Sequence, residues 1–274
     1  MFHKRFEPNS GAPILQAVDL YKIRDVGLAA AARAGDVLRA FWGKAYGIEK
    51  KGAIDLVTDA DVASEKAITD VIRTAFPGHT IQAEEGGLTG GENAGRWIID
   101  PLDGTTNFAH NLPDFSISIA FSHNEKLLFG VVLNPVTKEL FLAMEGVGAF
   151  LNGKPIGVSG VADMQNALLV TGFPYDSKST MALLMRRFQR CLQAAQGVRR
   201  LGSAALDLCY VACGRFEAFW EQNLAPWDTA AGVVIAQQAG ARITNFSDGS
   251  YSINGDEILA TNGLVHQELL ALLR

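Results

Sequence analysis

Cysteine is scarce: only Cys191, Cys209 and Cys213 occur in 274 residues. They form neither metal-spaced pairs nor a disulfide framework, which points to a reducing compartment and, by default, the cytoplasm. Cys209 and Cys213 stand one helical turn apart among apolar neighbours and read as core. No uninterrupted apolar run is long enough to cross a bilayer. None follows Lys4 and Arg5 either, where Glu7, Pro8 and Asn9 stand instead, so a signal peptide is not expected. Positive charge is not in excess: the net charge is -5, unlike the basic balance of a dedicated nucleic-acid binder. The five histidines, His3, His79, His110, His123 and His266, make no metal-type pair and suggest no histidine phosphoenzyme. Repeats, low-complexity tracts and evident linkers are missing too. The chain reads as a flexible arm over residues 1–12 followed by a single domain over 13–274.

What is present centres on Trp97-Ile98-Ile99-Asp100-Pro101-Leu102-Asp103-Gly104-Thr105-Thr106-Asn107-Phe108. Trp97 to Ile99 reads as a short buried strand with Asp100 at its end. Pro101 lacks an N–H and fixes φ, so the strand is expected to stop there. Asp103 follows, then Gly104-Thr105-Thr106, whose N–H groups and hydroxyls at a helix start suit an anion. Bare carboxylates repel a phosphate, whereas carboxylates loaded with divalent cations attract one. A metal-dependent phosphoryl site is the first hypothesis. Asp-Pro and Asp-Gly are also ordinary turn chemistry, and an Asp before a helix is ordinary capping, so this stretch alone leaves the two readings even.

Around it the periodicity predicts alternating elements. Apolar residues from Ile14 to about Trp42 recur near a helical period. Thr58-Asp59-Ala60-Asp61 opens a second helix with Val62, Ala67, Ile68, Val71, Ile72 and Ala75 as its apolar face, ending before Pro77-Gly78. Thr58 as N-cap with Asp61 three positions on makes a variant capping box, which taken alone is the better account of Asp61. The same terminus would keep Asp61 ionised, as a general base requires. Thr80 to Ala83 is a strand leading into Glu84-Glu85. Gly86 to Gly95 lacks dinucleotide or P-loop spacing and reads as a mobile loop, suited to a lid or to a weakly held ion.

Further on, Phe115 to Phe121, Leu127 to Leu133 and Glu139 to Met144 predict an antiparallel meander, with one more hairpin at Asn152-Gly153. A strand at Ala167 to Val170 precedes a helix from Met181 to Ala195, whose Arg186, Arg187 and Arg190 read as an exposed face or a subunit contact. A small-residue helix, Ala205 to Cys213, and a strand, Phe216 to Trp220, lead to Glu221. Pro226-Trp227-Asp228 opens a helix over Thr229 to Gln238 with Asp228 in an N-cap role, and Leu264 to Leu273 is the last helix.

Singly, Asp61, Glu84, Asp100, Asp103 and Asp228 each have an ordinary explanation. Together they are acids at strand ends and helix starts, where alternating α and β elements gather functional sites. Oxygen ligation without Cys or His suits a hard ion, Mg²⁺ before Zn²⁺. Two such ions can clamp the attacking water and the leaving oxygen of an in-line displacement. The central Asp100-Pro101-Leu102-Asp103 lacks the hydrophobic-strand Asp-x-Asp that an aspartyl-phosphate nucleophile usually shows, so direct attack by water is the simpler chemistry.

The central stretch resembles the signature of the inositol monophosphatase family, especially its bacterial members. Its partner is Pro226-Trp227-Asp228-Thr229-Ala230-Ala231-Gly232, with Leu201-Gly202-Ser203-Ala204-Ala205-Leu206-Asp207 and Glu221 between them. Asp55-Leu56-Val57-Thr58-Asp59-Ala60-Asp61 and Ala83-Glu84-Glu85 stand upstream. The resemblance implies an α/β (α+β) fold, an α/β/α/β/α layered sandwich of the inositol monophosphatase and fructose-1,6-bisphosphatase type. It implies a first Mg²⁺ on Glu84, Asp100 and the Leu102 carbonyl, a second on Asp100, Asp103 and Asp228, and a third, weaker ion near Glu84. Asp61 and Thr105 match the pair that positions and activates water, with Glu84 beside them. Gly104 and Thr105 N–H groups would receive phosphate, while Gly202, Ser203, Ala204, Glu221 and Asp228 match positions that hold sugar hydroxyls. Glu84, Leu102 and Asp103 complete the implied substrate shell. A homodimer and inhibition by lithium are implied as well. Departures in Gln222 to Pro226 and Gly86 to Gly95 leave substrate choice and the third ion open.

The leading function is thus a Mg²⁺-dependent phosphomonoesterase acting on inositol monophosphate. Alternatives sharing the signature act on fructose 1,6-bisphosphate, adenosine 3',5'-bisphosphate, histidinol phosphate or NADP-type dinucleotides. Glu221 favours a polyol, and a bisphosphate would need a basic cluster for which only Arg199 and Arg200 qualify; a structural role suits those two better. A reading of another class is an RNA-linked regulatory interaction protein with incidental catalysis. The acidic balance speaks against direct nucleic-acid binding and leaves a regulatory protein partner.

Overall fold

The computed structural model describes residues 18–44, 48–50, 56–91, 95–174 and 179–274. The expected arm over 1–12 and the helix start at Ile14 lie outside the described residues. The first helix, α1 (Leu20–Phe41), is capped by Asp19, whose carboxylate accepts from the Tyr21 and Lys22 N–H groups at 3.1 Å. Its buried stripe is mostly Ala and Gly, which lets it lie close on a sheet. At Gly27 a Cβ would stand 2.5 Å from the Phe129 ring.

Strands β1 (Ile48–Lys50) and β2 (Leu56–Thr58) pair antiparallel and lead into α2 (Asp59–Ala75), which packs along α1. The side chain of the expected cap, Thr58, lies outside the described residues. The buried residues of α2 are Ala60, Asp61, Ser64, Ile68 and Ile72, while Val62 is 57% exposed. The expected apolar face is therefore corrected: two polar residues take the core side. Ser64 Oγ donates to the Pro101 carbonyl at 2.8 Å, and a polar side chain buried on a partner is invisible to apolar periodicity.

An eight-stranded sheet follows. It comprises β3 (Thr80–Ala83), β4 (Gly87–Thr89), β5 (Gly95–Asp103), β6 (Ser116–His123), β7 (Lys126–Asn134), β8 (Glu139–Met144), β9 (Gly148–Leu151) and β10 (Lys154–Pro155), with the short helix α3 (Thr105–Ala109) after β5. Its order is β10-β9-β8-β7-β6-β5-β3-β4, antiparallel throughout except for β3 beside β5. The expected meander and hairpin are present, and Asn152 and Gly153 take φ of 49 and 76, as a tight hairpin turn needs. Two expectations are corrected. The glycine-rich Gly86 to Gly95 segment contains β4, which pairs with β3; residues 92–94 lie outside the described ones. Strand β5 runs through Pro101 to Asp103, and its register with β6 shifts between Asp100 and Asp103. An irregularity of this kind is where a strand tolerates a residue without an N–H.

The second sheet has five strands, β11 (Leu168–Thr171), β12 (Gly197–Arg199), β13 (Ala218–Gln222), β14 (Arg242–Thr244) and β15 (Glu257–Thr261), in the order β12-β11-β13-β15-β14. Its helices are α4 (Met181–Ala194), α5 (Ala204–Ala212), α6 (Pro226–Gln238) and α7 (His266–Leu273). Three apolar cores hold five layers together, the middle one spanning both sheets and the helices between them: α1 and α2 on one face of the large sheet, α5 and α6 between the sheets, α4 and α7 outside the small one. The α/β/α/β/α sandwich is therefore observed. Between the sheets there is little room. A Cβ on Gly130 of β7 would stand 2.5 Å from the Ala231 carbonyl, and one on Gly232 would stand 2.7 Å from Leu208. Arg187, expected to be exposed, is half-buried: it donates to Gln222 Oε1 at 2.6 Å and to the Leu273 carbonyl at 2.5 Å, tying α4 to β13 and α7. Arg186 and Arg190 are exposed as expected. The three cysteines are free thiols, and no described helix is long and apolar enough to cross a membrane.

Candidate active site

The acids gather because β5 ends where four other segments meet it. The Glu84 N–H donates to the Ile99 carbonyl at 3.2 Å, which extends the β3–β5 ladder and sets Glu84 beside Asp100. Asp100 is 2% exposed and accepts from the Leu102 N–H at 3.0 Å. Burial first, then the charges of Glu84, Asp103 and Asp228, push its carboxyl well above the ordinary carboxylate range. Asp103 is pinned to α5: its Oδ2 accepts from Ser203 Oγ at 2.5 Å and from the Ala205 N–H at 2.9 Å. Burial nonetheless pushes Asp103 up to about 6, with the Ser203 and Ala205 bonds holding it back and Glu84 adding to the rise.

Asp228 was expected as an N-cap and is instead the third residue of α6. Ala225 precedes the helix, Pro226 occupies the first position that suits it, and Asp228 Oδ2 accepts from the Ala225 N–H at 2.7 Å. Ser118 Oγ donates to the Trp227 carbonyl at 3.3 Å, fastening this helix start to β6. Glu84, Asp103 and Asp228 thus oppose the ionisation of Asp100, and Glu84 opposes that of Asp103. Among the described residues, no three His, Cys, Asp or Glu side chains are already drawn up as a metal cage. The four carboxylates stand as neighbours, and their donor set is all oxygen.

Asp61 and Thr105 meet across the elements. Asp61, 1% exposed in the first turn of α2, has Oδ1 3.2 Å from Thr105 Oγ1, which also lies 3.0 Å from the Leu102 carbonyl. One hydroxyl carries one proton, so Thr105 donates to either acceptor in turn. Gly104 has φ 91, and a Cβ there would stand 3.0 Å from the Asp114 carbonyl and 3.2 Å from that of Gly202. Only glycine fits that crossing. Asn107 Nδ2, to which no role was assigned from sequence, donates to the Asp114 carbonyl at 2.6 Å and the Leu201 carbonyl at 2.8 Å. It holds the Gly202-Ser203 turn against the central motif.

A cleft of about 110 Å³ opens at this junction. Of the expected residues, Asp103, Gly104, Gly202, Ser203, Ala204, Glu221 and Asp228 line it. Asp61, Glu84, Asp100, Leu102 and Thr105 do not; they connect to it through the bonds and charges above. Sequence reasoning assigned no role to Gly172, Phe173, Asp207, Asn223 and Leu224, which also form its wall. Arg200, for which a structural role was expected, lines the cleft as an exposed side chain. Glu221 is 7% exposed, and burial pushes it up to about 8; Arg200 opposes the shift, Asp228 and Asp103 add to it. A Cβ on Gly172 would stand 2.0 Å from Glu221 Oε2, so glycine makes the space that Glu221 occupies. A larger groove, about 720 Å³, runs between α1 and α2, but none of these acids lines it, and its Lys66 pairs with Asp70 at 2.7 Å.

Known proteins similar to this chain are numerous. An inositol-1-monophosphatase of Synechocystis is 44% identical over 94% of this chain and 90% of its own length. The Nus factor SuhB of Pseudomonas aeruginosa is 41% identical over 83% of this chain and 86% of its own. Among solved structures, the inositol monophosphatase from Anabaena (Nostoc) superposes with a TM-score of 0.85 at 41% identity, covering 93% of this chain and 96% of that one. The extragenic suppressor protein suhB from Bartonella henselae superposes with a TM-score of 0.89 at 36% identity, covering 92% and 98%. The model of the inositol monophosphatase family matches residues 19–274, from the cap of α1 to the last residue of the chain, and this protein belongs to that family.

Proposed function

We propose that this protein is a Mg²⁺-dependent phosphomonoesterase that hydrolyses inositol monophosphate to inositol and phosphate by direct in-line attack of water. The reading is carried by buried Asp100, whose ionisation Glu84, Asp103 and Asp228 oppose, beside a cleft that Glu221 also lines. Carboxylates in that state call for a cation, and an all-oxygen donor set suits Mg²⁺. Glu84, Asp100 and the Leu102 carbonyl would hold one ion, Asp100, Asp103 and Asp228 a second, with a weaker third near Glu84. Bound there, Mg²⁺ supplies charge neutralisation and Lewis acidity toward the phosphoryl group.

The chain's own groups do the rest. Thr105 Oγ1 accepts a hydrogen bond from the attacking water and relays its proton toward Asp61 Oδ1, 3.2 Å away. The Gly104 and Thr105 N–H groups receive phosphate oxygens. Gly202, Ser203, Ala204 and Asp228 shape the leaving-group side, where Glu221 accepts from a ring hydroxyl. Inhibition by lithium, a homodimer and a cytoplasmic location extend the same reading. The test is phosphate release from a panel of esters that includes inositol 1-phosphate and fructose 1,6-bisphosphate, with and without Mg²⁺ and with lithium. Mg²⁺-dependent release, greatest on inositol 1-phosphate, is expected. Clear preference for another ester removes the inositol assignment, and no release from any ester refutes the enzyme reading.

A second reading draws on relatives named as Nus factors, such as that of Pseudomonas aeruginosa. In it the protein serves a regulatory protein partner and catalysis is incidental. Asp100→Asn separates the two: phosphatase activity lost with partner binding retained supports the regulatory role.

A further inference from the structure

Every residue of α5 is buried, and Asp207 is its one acid. Asp207 is 1% exposed, and its backbone N–H makes an ordinary helical bond to the Ser203 carbonyl at 2.9 Å. Its side chain is not ordinary. Oδ1 of Asp207 is the one buried side-chain nitrogen or oxygen, among the described residues, that has no hydrogen-bond partner. Folded proteins satisfy such atoms almost without exception, and an apolar residue would have suited this helix better. Asp207 itself lines the cleft, as Glu221 does, with Arg200 exposed among the other lining residues. A missing partner on a cleft wall is what a ligand would provide.

We propose that Asp207 is a specificity-determining residue that hydrogen-bonds a second hydroxyl of the leaving group, beside the one at Glu221, so that the cleft selects phosphate esters of polyols with neighbouring hydroxyls. The inference rests on the reading of the cleft as a polyol-phosphate site. Burial, reinforced by Glu221 and Asp103 and opposed by Arg200, pushes the Asp207 carboxyl well above the ordinary range. One ring hydroxyl can then bond Asp207 while its neighbour bonds Glu221. The two acids would act as a pair that a bare alkyl or aryl ester cannot engage.

The test compares inositol 1-phosphate with p-nitrophenyl phosphate, which has no ring hydroxyl, at saturating Mg²⁺ in the wild type, Asp207→Asn and Asp207→Leu. Loss of one hydrogen bond to such a group should lower the ratio of kcat/KM for inositol 1-phosphate to that for p-nitrophenyl phosphate about tenfold in Asp207→Leu, mainly through KM. Asp207→Asn, which keeps a hydrogen-bonding side chain, should fall between. The melting temperature of Asp207→Leu should not drop, since no protein bond is lost. An unchanged ratio in both variants, or a parallel loss on both esters with a lower melting temperature, overturns the inference. Should Asp207→Leu fail to fold, the ratio in Asp207→Asn decides alone. Wild-type protein that cleaves p-nitrophenyl phosphate but no polyol phosphate refutes the functional reading itself, before any variant is made, and the inference falls with it.

Discussion

Ser203 Oγ serves three partners, one of them the buried Ser116 Oγ at 3.3 Å. It donates to Asp103 Oδ2 at 2.5 Å and accepts from the Leu206 N–H at 3.4 Å, the cap of α5. Ser203→Ala deletes all three. A hydrogen bond to a carboxylate contributes about 1.5–3 kcal/mol, and a good cap about 1 kcal/mol. The cap bond here is long and the two share an atom, so a loss of about 2–3 kcal/mol is expected. At about 2–4 °C per kcal/mol for a chain of this size, the melting temperature should fall by about 5–10 °C.

A cavity could lower stability as well, so the decisive signature is proton linkage. The Ser203 bond is the strongest influence holding Asp103 down, and without it the carboxyl moves above about 6. Between its ordinary 3.8 and about 6, the native protein keeps a proton on Asp103 that the unfolded chain has lost. Stability of the metal-free protein therefore falls as pH rises through that window. In Ser203→Ala the fall should continue to higher pH. Mg²⁺ has to displace the same proton, so half-saturating Mg²⁺ should drop as pH rises through the window in the wild type and do so at higher pH in the variant. Thermal unfolding and Mg²⁺ titration across the acid-to-neutral range read both effects. Superimposable pH dependences in the two proteins would refute the reasoning, even with a lower melting temperature.

Three further outcomes are expected. Asp61→Asn and Thr105→Ala should each lower kcat by about 10²–10⁴-fold while leaving KM near its wild-type value; steady-state kinetics that show an undiminished kcat remove the proton relay. Gly172→Ala places a Cβ 2.0 Å from Glu221 Oε2, so Glu221 must shift and KM for inositol 1-phosphate should rise more than kcat falls. An unaltered KM would mean that Glu221 does not hold the leaving group. Glu221→Gln addresses a carboxyl raised from 4.5 to about 8. The native state keeps that proton while the unfolded chain loses it, so wild-type stability falls as pH climbs from 4.5 toward 8, and the variant lacks this slope. Denaturant unfolding at an acid and an alkaline pH should show the variant gaining on the wild type only at the alkaline one, and parallel shifts count against it.

Much of the layered fold was legible. Turn residues punctuate β6 to β10 so regularly that the meander and its Asn-Gly hairpin follow from spacing alone, and α1, α4, α6 and α7 lie within a few residues of their expected positions, with larger differences at termini. The misreadings share one cause, that local pattern is blind to partners from afar. Val62 reads as core because it is apolar, yet α2 turns Asp61 and Ser64 inward because Thr105 and the Pro101 carbonyl await them. Pro101 reads as a strand end, yet β6 carries β5 on to Asp103 through a register shift. Gly87 to Thr89 is too short to show as a strand until β3 offers it an edge.

For the site, the chemical kinds of residue needed are written in the chain: acids beside Pro and Gly, a threonine pair at a helix start, glutamate at a strand end. Order and spacing of those motifs carry the family without any coordinates, because backbone turns and helix termini are local. The electrostatic state of the acids is not local. Asp100 and Asp103 are raised first because water is excluded around them and then because Glu84 arrives beside both and Asp228 beside Asp100, and Glu221 has its place because Gly172 leaves room for it. Asp207 shows the difference most plainly: in sequence it is one more acid in a small-residue helix, and only packing leaves its buried Oδ1 without a partner and sets the residue in the lining of the cleft.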